Sequence, residues 1–187
     1  MSELIPRLSP DEMPPELARH LRPRMERLGY LGEFFRCAAH QPRALLSFMA
    51  FTDDLKEALP DRLTELVALT VSGAMGNEYE RVQHERRSLK LGFGEAWIRE
   101  AEAVSPVGSG ALGLGLTEDE RLVQRLVLVL VERKGHNTRV ELEAVVRAIG
   151  APHAVAVLLL AGRYVTHALM ANALALAPPV ASPLDPR

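Results

Sequence analysis

Cysteine is nearly absent from this 187-residue sequence: Cys37 is the only one. A single thiol excludes an internal disulfide and any intramolecular dithiol chemistry. Charge of one sign is lacking too. The formal net charge is −2, so bulk electrostatics recruit neither nucleic acid nor an anionic membrane. The most apolar stretch, 151–178, is interrupted by His153, Arg163, His167 and Asn172. Ionisable groups at the centre of a lipid-spanning helix are costly, so this stretch reads as a buried protein helix rather than a membrane span. The opening MSELIPRLSPDEMPPEL carries acids and prolines where a secretory leader needs an apolar core, which points to the cytoplasm. No phosphate-loop pattern G-x-x-x-x-G-K-[ST] is present, and no block recurs with a period of about 20–50 residues.

What is present is helix after helix. An apolar fraction of 48% and a charged fraction of 25% are those of an ordinary globular domain. Ser9, Pro10 and Glu12 form a capping-box candidate ahead of a helix over about 14–28 that Gly29 ends. A short helix over 30–40 follows, then one from Pro42 to about 58 that Pro60 stops. Asp61 is the expected N-cap of a mostly buried helix over 62–75. A polar helix follows over 78–91, and a short one over 95–103 is anchored by Trp97 and Ile98. The run 104–115, rich in Gly, Ser and Pro, reads as a connection. Thr117 with Glu120, and Thr138 with Glu141, are capping boxes for helices running to about 134 and 149. Gly150 and Pro152 then set off a last long helix over 153–175. The expected fold is all-α with seven to nine helices. Residues 1–29 would be an N-terminal arm, 30–176 the main domain, and 177–187 a proline-rich tail, frayed or draped on a neighbour.

The stretch RLTELVALTVSGAMGNEYERVQHERRSLKLG, 62–92, concentrates the chemistry. Glu65 lies near the start of one apolar helix, and Asn77, Glu78, Tyr79, Glu80 and His84 open the next. Glu80 and His84 are spaced i,i+4, hence on one helix face. Such a face could exchange protons, or it could be an ordinary solvated ion pair. Glu65 could pair with an arginine such as Arg81 or Arg163 for structure alone, since a buried carboxylate needs a partner. The scattered histidines and the absence of H-E-x-x-H or E-x-x-H argue against a metal site. The run Glu85-Arg86-Arg87 with Lys90 reads as a solvated face that could also draw a carboxylated substrate.

The pattern from Arg62 and Glu65 through Gly76, Tyr79 and Glu80 to His84 resembles the carboxymuconolactone decarboxylase and alkylhydroperoxidase-D superfamily. The preceding FFRCAAHQPRALLSFMAF and the closing LAGRYVTHALMANALAL extend the likeness to about 30–176. The resemblance implies an alkylhydroperoxidase-D-like helical bundle, a homo-oligomer, commonly a trimer or hexamer, and an active site in the 62–92 hairpin.

In the thiol branch of that superfamily a C-x-x-C pair, a following histidine and an upstream glutamate reduce peroxides. Here Glu65 and His84 match the glutamate and the histidine, whereas Asn77 and Glu80 stand where the two cysteines would be. Neither can attack a peroxide or resolve a sulfenic acid. Cys37, outside the motif among apolar neighbours, reads as a packing residue. The expectation is therefore a cofactor-independent lyase or related enzyme acting on a small carboxylated lactone or organic acid. His84 would be the acid or base, with Glu80 or Glu65 as its partner and Tyr79, Asn77 and Glu78 toward the substrate. A peroxidase of the thiol type and a non-catalytic oligomeric binding protein are the alternatives.

Overall fold

The computed structural model describes residues 4–103 and 115–185. The connection expected over 104–115 lies, apart from Gly115, outside them. Among the described residues there are eight α-helices and no strand. They are α1 (Pro15–Leu28), α2 (Glu33–Ala38), α3 (Pro42–Glu57), α4 (Asp61–Ala74), α5 (Glu78–Lys90), α6 (Glu95–Glu102), α7 (Glu118–Glu132) and α8 (Arg139–Ala173).

Local chemistry accounts for most of their ends. The Ser9 and Glu12 box closes over a 3₁₀ turn, Pro10–Glu12, rather than over α1 itself. Gly29, at φ 78°, adopts the left-handed conformation that terminates α1. Thr117 and Glu120 cap α7 reciprocally, and Glu120 also receives Arg62 Nε at 2.6 Å. The second expected box is not made. Thr138 has φ −105° and ψ 9° instead of the extended backbone an N-cap uses, and its hydroxyl donates to the Gly135 carbonyl at 3.3 Å. Asp61 is not a cap either: Pro60 holds that position, and Asp61 lies in the first turn of α4. Gly150, at φ 81°, breaks the helical path of α8 two residues before Pro152, as expected from the sequence.

The buried centre is α4, in which every residue from Leu63 to Ser72 is buried. Its apolar side chains pack with α6, α7 and α8 in a cluster that includes Leu66, Leu69, Ile98, Leu126 and Leu160. Each such leucine contributes about 1.5–3 kcal/mol by leaving water. A second cluster joins α1, α2 and α3 through Leu17, Leu21, Phe34, Cys37, Leu45 and Met49, and reaches Tyr79 and Ala171. The N-terminal arm is thus packed into the body of the molecule. The tail is draped, as Ser182 Oγ donates to Glu85 Oε2 at 2.6 Å and the Leu184 carbonyl accepts from Arg99 at 3.1 Å. Helix α8 is long and apolar enough to cross a membrane by composition alone. Its Arg163 and His167 are nevertheless buried in ionic contacts inside the protein.

Candidate active site

Charged side chains of α4, α5 and α8 join one network, to which α3 adds Thr52. Asn77 starts it indirectly: its side-chain oxygen accepts the Glu80 amide at 3.3 Å and so caps α5. One turn of α5 then separates Glu80 from His84, which turns both inward. Glu65 faces them from α4 and is fully buried.

His84 is held from both sides. Its Nδ1 lies 2.6 Å from Glu65 Oε2, and its Nε2 lies 3.2 Å from Glu80 Oε2. The other oxygen of Glu65 accepts from Arg87 Nε at 2.7 Å, and Arg87 also reaches Asp61 at 3.2 Å. The other oxygen of Glu80 meets His167 Nε2 at 2.9 Å, while Arg163 Nη1 approaches Glu80 Oε2 at 3.4 Å. Arg163 is itself fixed by Thr52, whose hydroxyl accepts from Arg163 Nε at 3.0 Å and donates to the Phe48 carbonyl at 2.6 Å. Phe34 stacks on the His167 ring at 3.7 Å between centroids, and Tyr164 sets its edge to His84 at 5.1 Å.

These contacts shift the pKa values in different directions. Burial opposes charge on His84, but the Glu65 carboxylate and its hydrogen bond, together with Glu80, outweigh it and raise the imidazole pKa. Burial would also raise both carboxylates. For Glu80 the charges of and bonds from His167 and His84 and the charge of Arg163 hold it well below its ordinary value, and for Glu65 His84 and Arg87 lower it. His167 goes the other way. Burial lowers its pKa, Glu80 only partly offsets this, and the positive charges of Arg163 and His84 add to the lowering. A neutral His167 that donates Nε2–H to Glu80 leaves Nδ1 as a buried acceptor, and Nδ1 has no partner.

The six residues singled out from the sequence divide. Glu65, Glu80 and His84 are brought together, and the partner of Glu65 is Arg87, not Arg81 or Arg163. Tyr79 is buried beside the site, but its hydroxyl accepts the Phe34 amide at 3.3 Å. Asn77 serves as the cap. Glu78 is exposed and pairs with Arg81 at 3.7 Å, away from the network. The run read as a solvated face is only partly so, because Glu85 is fully buried against Arg81 and Ser182, whereas Arg86 and Lys90 are exposed. Cys37 is buried in the second core cluster. Arg163 and His167 had a signal in the sequence: two ionisable residues at i,i+4 in an otherwise apolar helix. Thr52 had none. Among the described residues no group of three or more His, Cys, Asp or Glu is arranged to hold a metal ion.

A helical hairpin carries Glu65 on one arm and Glu80 and His84 on the other, and a long C-terminal helix closes it. Residues 42–119 match the model of the carboxymuconolactone decarboxylase family. No curated protein matches. Among solved structures, the alkylhydroperoxidase AhpD core of an uncharacterized peroxidase-related protein from Ralstonia eutropha JMP134 is similar with a TM-score of 0.78 at 16% identity, over 92% of this chain and 90% of that one. An uncharacterized peroxidase-related protein from Silicibacter sp. TM1040 has a TM-score of 0.74 at 18% identity, over 94% and 90%. The chain thus shares the fold of these two structures, and its residues 42–119 resemble the carboxymuconolactone decarboxylase family.

Proposed function

We propose that this protein is an acid–base enzyme that acts, without a redox thiol, on a small carboxylated organic acid. Decarboxylation of a lactone acid, the chemistry in the name of the matching family, is the favoured case. The observation that carries this reading is His84 clamped between Glu65 and Glu80 at 2.6 and 3.2 Å. An imidazolium so held can deliver a proton to a carbanion-like centre and recover it along Glu80. Arg163 and Arg87 supply charge that favours an anionic substrate. The test is turnover of a panel of carboxylated lactones by wild type, His84→Gln and Cys37→Ser. The reading expects His84→Gln to lose about 10²–10⁴-fold, the usual share of general acid–base catalysis, and Cys37→Ser to retain activity. Equal turnover by all three proteins would overturn it.

A second reading, thiol-dependent peroxide reduction, is favoured only by the names of the two similar structures. Its one candidate thiol, Cys37, is 3% exposed in an apolar cluster. Hydroperoxide consumption with a dithiol donor, abolished by Cys37→Ser, would establish that reading instead.

Self-association fits the exposed face of α8. Val155, Leu159, Gly162, Thr166 and Leu169 are all exposed and recur at alternating spacings of four and three, the seam that pairs helices of two copies. Sedimentation of wild type against Leu159→Glu tests this, with the variant expected to shift toward monomer.

A further inference from the structure

The two carboxylates that flank His84 are built alike. Each gives one oxygen to the imidazole, Glu65 Oε2 at 2.6 Å and Glu80 Oε2 at 3.2 Å. Each has a donor on its other oxygen: Arg87 Nε stands 2.7 Å from Glu65 Oε1, and His167 Nε2 stands 2.9 Å from Glu80 Oε1. A carboxylate has no hydrogen to give, so Nε2 of His167 is the donor whatever the charge on its ring. The ring is fixed in that duty. Phe34 stacks on it with 3.7 Å between centroids and 20° between planes, and His167 is 1% exposed. Its Nδ1 is buried without a partner among the described residues, so the ring has one bonded edge, the one turned to Glu80.

We propose that His167 is a positioning residue that acts through Glu80: its Nε2–H holds the Glu80 carboxylate ionised, so that the exchangeable proton stays on His84. This rests on His84 being the proton donor of the site and goes further, by assigning a role to a side chain that hydrogen-bonds to Glu80 and not to His84. In a buried pair of imidazolium and carboxylate, burial favours passing the proton across to leave two neutral groups. Hydrogen bonds to the ionised carboxylate oppose that transfer. Of the three side chains that reach the Glu80 carboxylate His167 comes nearest, since His84 and Arg163 stand 3.2 and 3.4 Å from the opposite oxygen. Burial works against the charge on Glu80, and His167 is the largest of the influences that resist burial. Charges on the surrounding helices act on Glu80 as well: Arg24 on α1, Lys56 on α3 and Arg163 on α8, with Glu65 on α4 acting through His84.

Two substitutions separate the hydrogen bond from the packing. His167→Phe keeps a flat ring to stack on Phe34 and removes the donor. His167→Gln gives up the stack and keeps an N–H for Glu80 Oε1. Without the donor, Oε1 is a buried carboxylate oxygen with nothing to stabilise its charge, and Glu80 gains proton affinity by about 10–100-fold, the worth of a hydrogen bond to a charged group. A more basic Glu80 takes the proton at higher pH, so the acidic limb of any activity that needs its carboxylate moves up.

The test is a titration of the Glu80 carboxyl carbon in full-length protein labelled with carbon-13 glutamate, its signal assigned with Glu80→Gln, alongside the pH profile of kcat/KM on a carboxylated lactone. His167→Phe is expected to raise the Glu80 midpoint and the acidic limb together, and His167→Gln to leave both close to wild type. A lower urea midpoint in His167→Phe with the Glu80 titration unmoved means packing alone and overturns the inference. Wild type carries a second readout that stands even if the variants do not fold: long-range proton–nitrogen correlations should show a proton on His167 Nε2 wherever Glu80 is ionised, and a ring protonated only on Nδ1 overturns the inference. If Glu80 is unmoved in His167→Phe while His84→Gln still abolishes lactone turnover, the role of His167 falls and the acid–base reading stands. If Glu80 shifts as expected while no lactone is consumed by wild type, the role of His167 stands and the lactone assignment falls.

Discussion

His84 and His167 bind opposite oxygens of the Glu80 carboxylate, at 3.2 and 2.9 Å, and their pKa values are pushed in opposite directions, His84 up and His167 down. The difference lies in the count of carboxylates. His84 has two, and Glu65 alone brings an oxygen to 2.6 Å; His167 has only Glu80, and feels the positive charges of Arg163 and His84 besides. One imidazole is therefore favoured in its charged form, and the other, whose Nδ1 has no partner, in its neutral form.

Removing Glu80 should break both relationships at once. Glu80→Ala leaves His84 and Arg163 short of a buried counter-charge, and the loss of one partner of a buried pair costs about 3–5 kcal/mol. Glu80→Gln is gentler, since the amide oxygen still accepts. In that variant the His84 pKa should fall relative to wild type, readable by titration of its ring protons. An unchanged His84 would show that Glu80 contributes nothing to its charge.

Two elements of this arrangement were legible in the sequence for different reasons. The i,i+4 spacing of Glu80 and His84 shows directly on a helix, and the Thr117 and Glu120 box marked where α7 begins. The pairing of Glu65 with Arg87 was not legible, because it depends on the crossing of α4 and α5, which no local pattern encodes. Arg163 and His167 were visible as polar interruptions of an apolar helix, yet their target on α5, some 80 residues away, is set by tertiary packing alone. The Thr138 box failed because a side-chain cap needs an extended backbone, and the turn around Gly135 and Asn137 imposes another conformation.

Gly32 places the α2 backbone against Tyr79. A Cβ at Gly32 would stand 2.3 Å from the Tyr79 hydroxyl oxygen, which is bonded to the Phe34 amide. The tyrosine ring is buried and has little room to retreat. Gly32→Ala should cost about 1–3 kcal/mol, the range for overpacked cores, measured as a lower urea midpoint. No change in midpoint would mean that the contact relaxes freely.

Cys37→Ser should lower stability by about 1–3 kcal/mol, because a hydroxyl replaces a thiol in an apolar cluster. Any catalytic activity at the Glu65, His84 and Glu80 network should persist once the protein is folded. Matched loss of turnover at unchanged stability would contradict the packing role.

Glu102 supplies a pH dependence of its own. Burial first, then the neighbouring Glu85 carboxylate, raise it from 4.5 to about 8. The folded state binds more protons than the unfolded state between these values, so this group makes stability fall as pH rises through that window. After discounting for solvent exposure the effect is about 1 kcal/mol. Glu102→Gln should flatten that fall, seen as a smaller drop in Tm between about pH 5 and pH 9. A parallel drop in wild type and variant would contradict it.

The most direct measurement is the protonation of the histidine rings at about pH 7, from one-bond and long-range proton–nitrogen correlations on protein labelled with nitrogen-15 histidine and assigned with His84→Gln and His167→Gln. A clamped imidazolium predicts protons on both ring nitrogens of His84 and only on Nε2 of His167. A His84 ring with one bare nitrogen at that pH would contradict the stored proton on which the proposed chemistry depends.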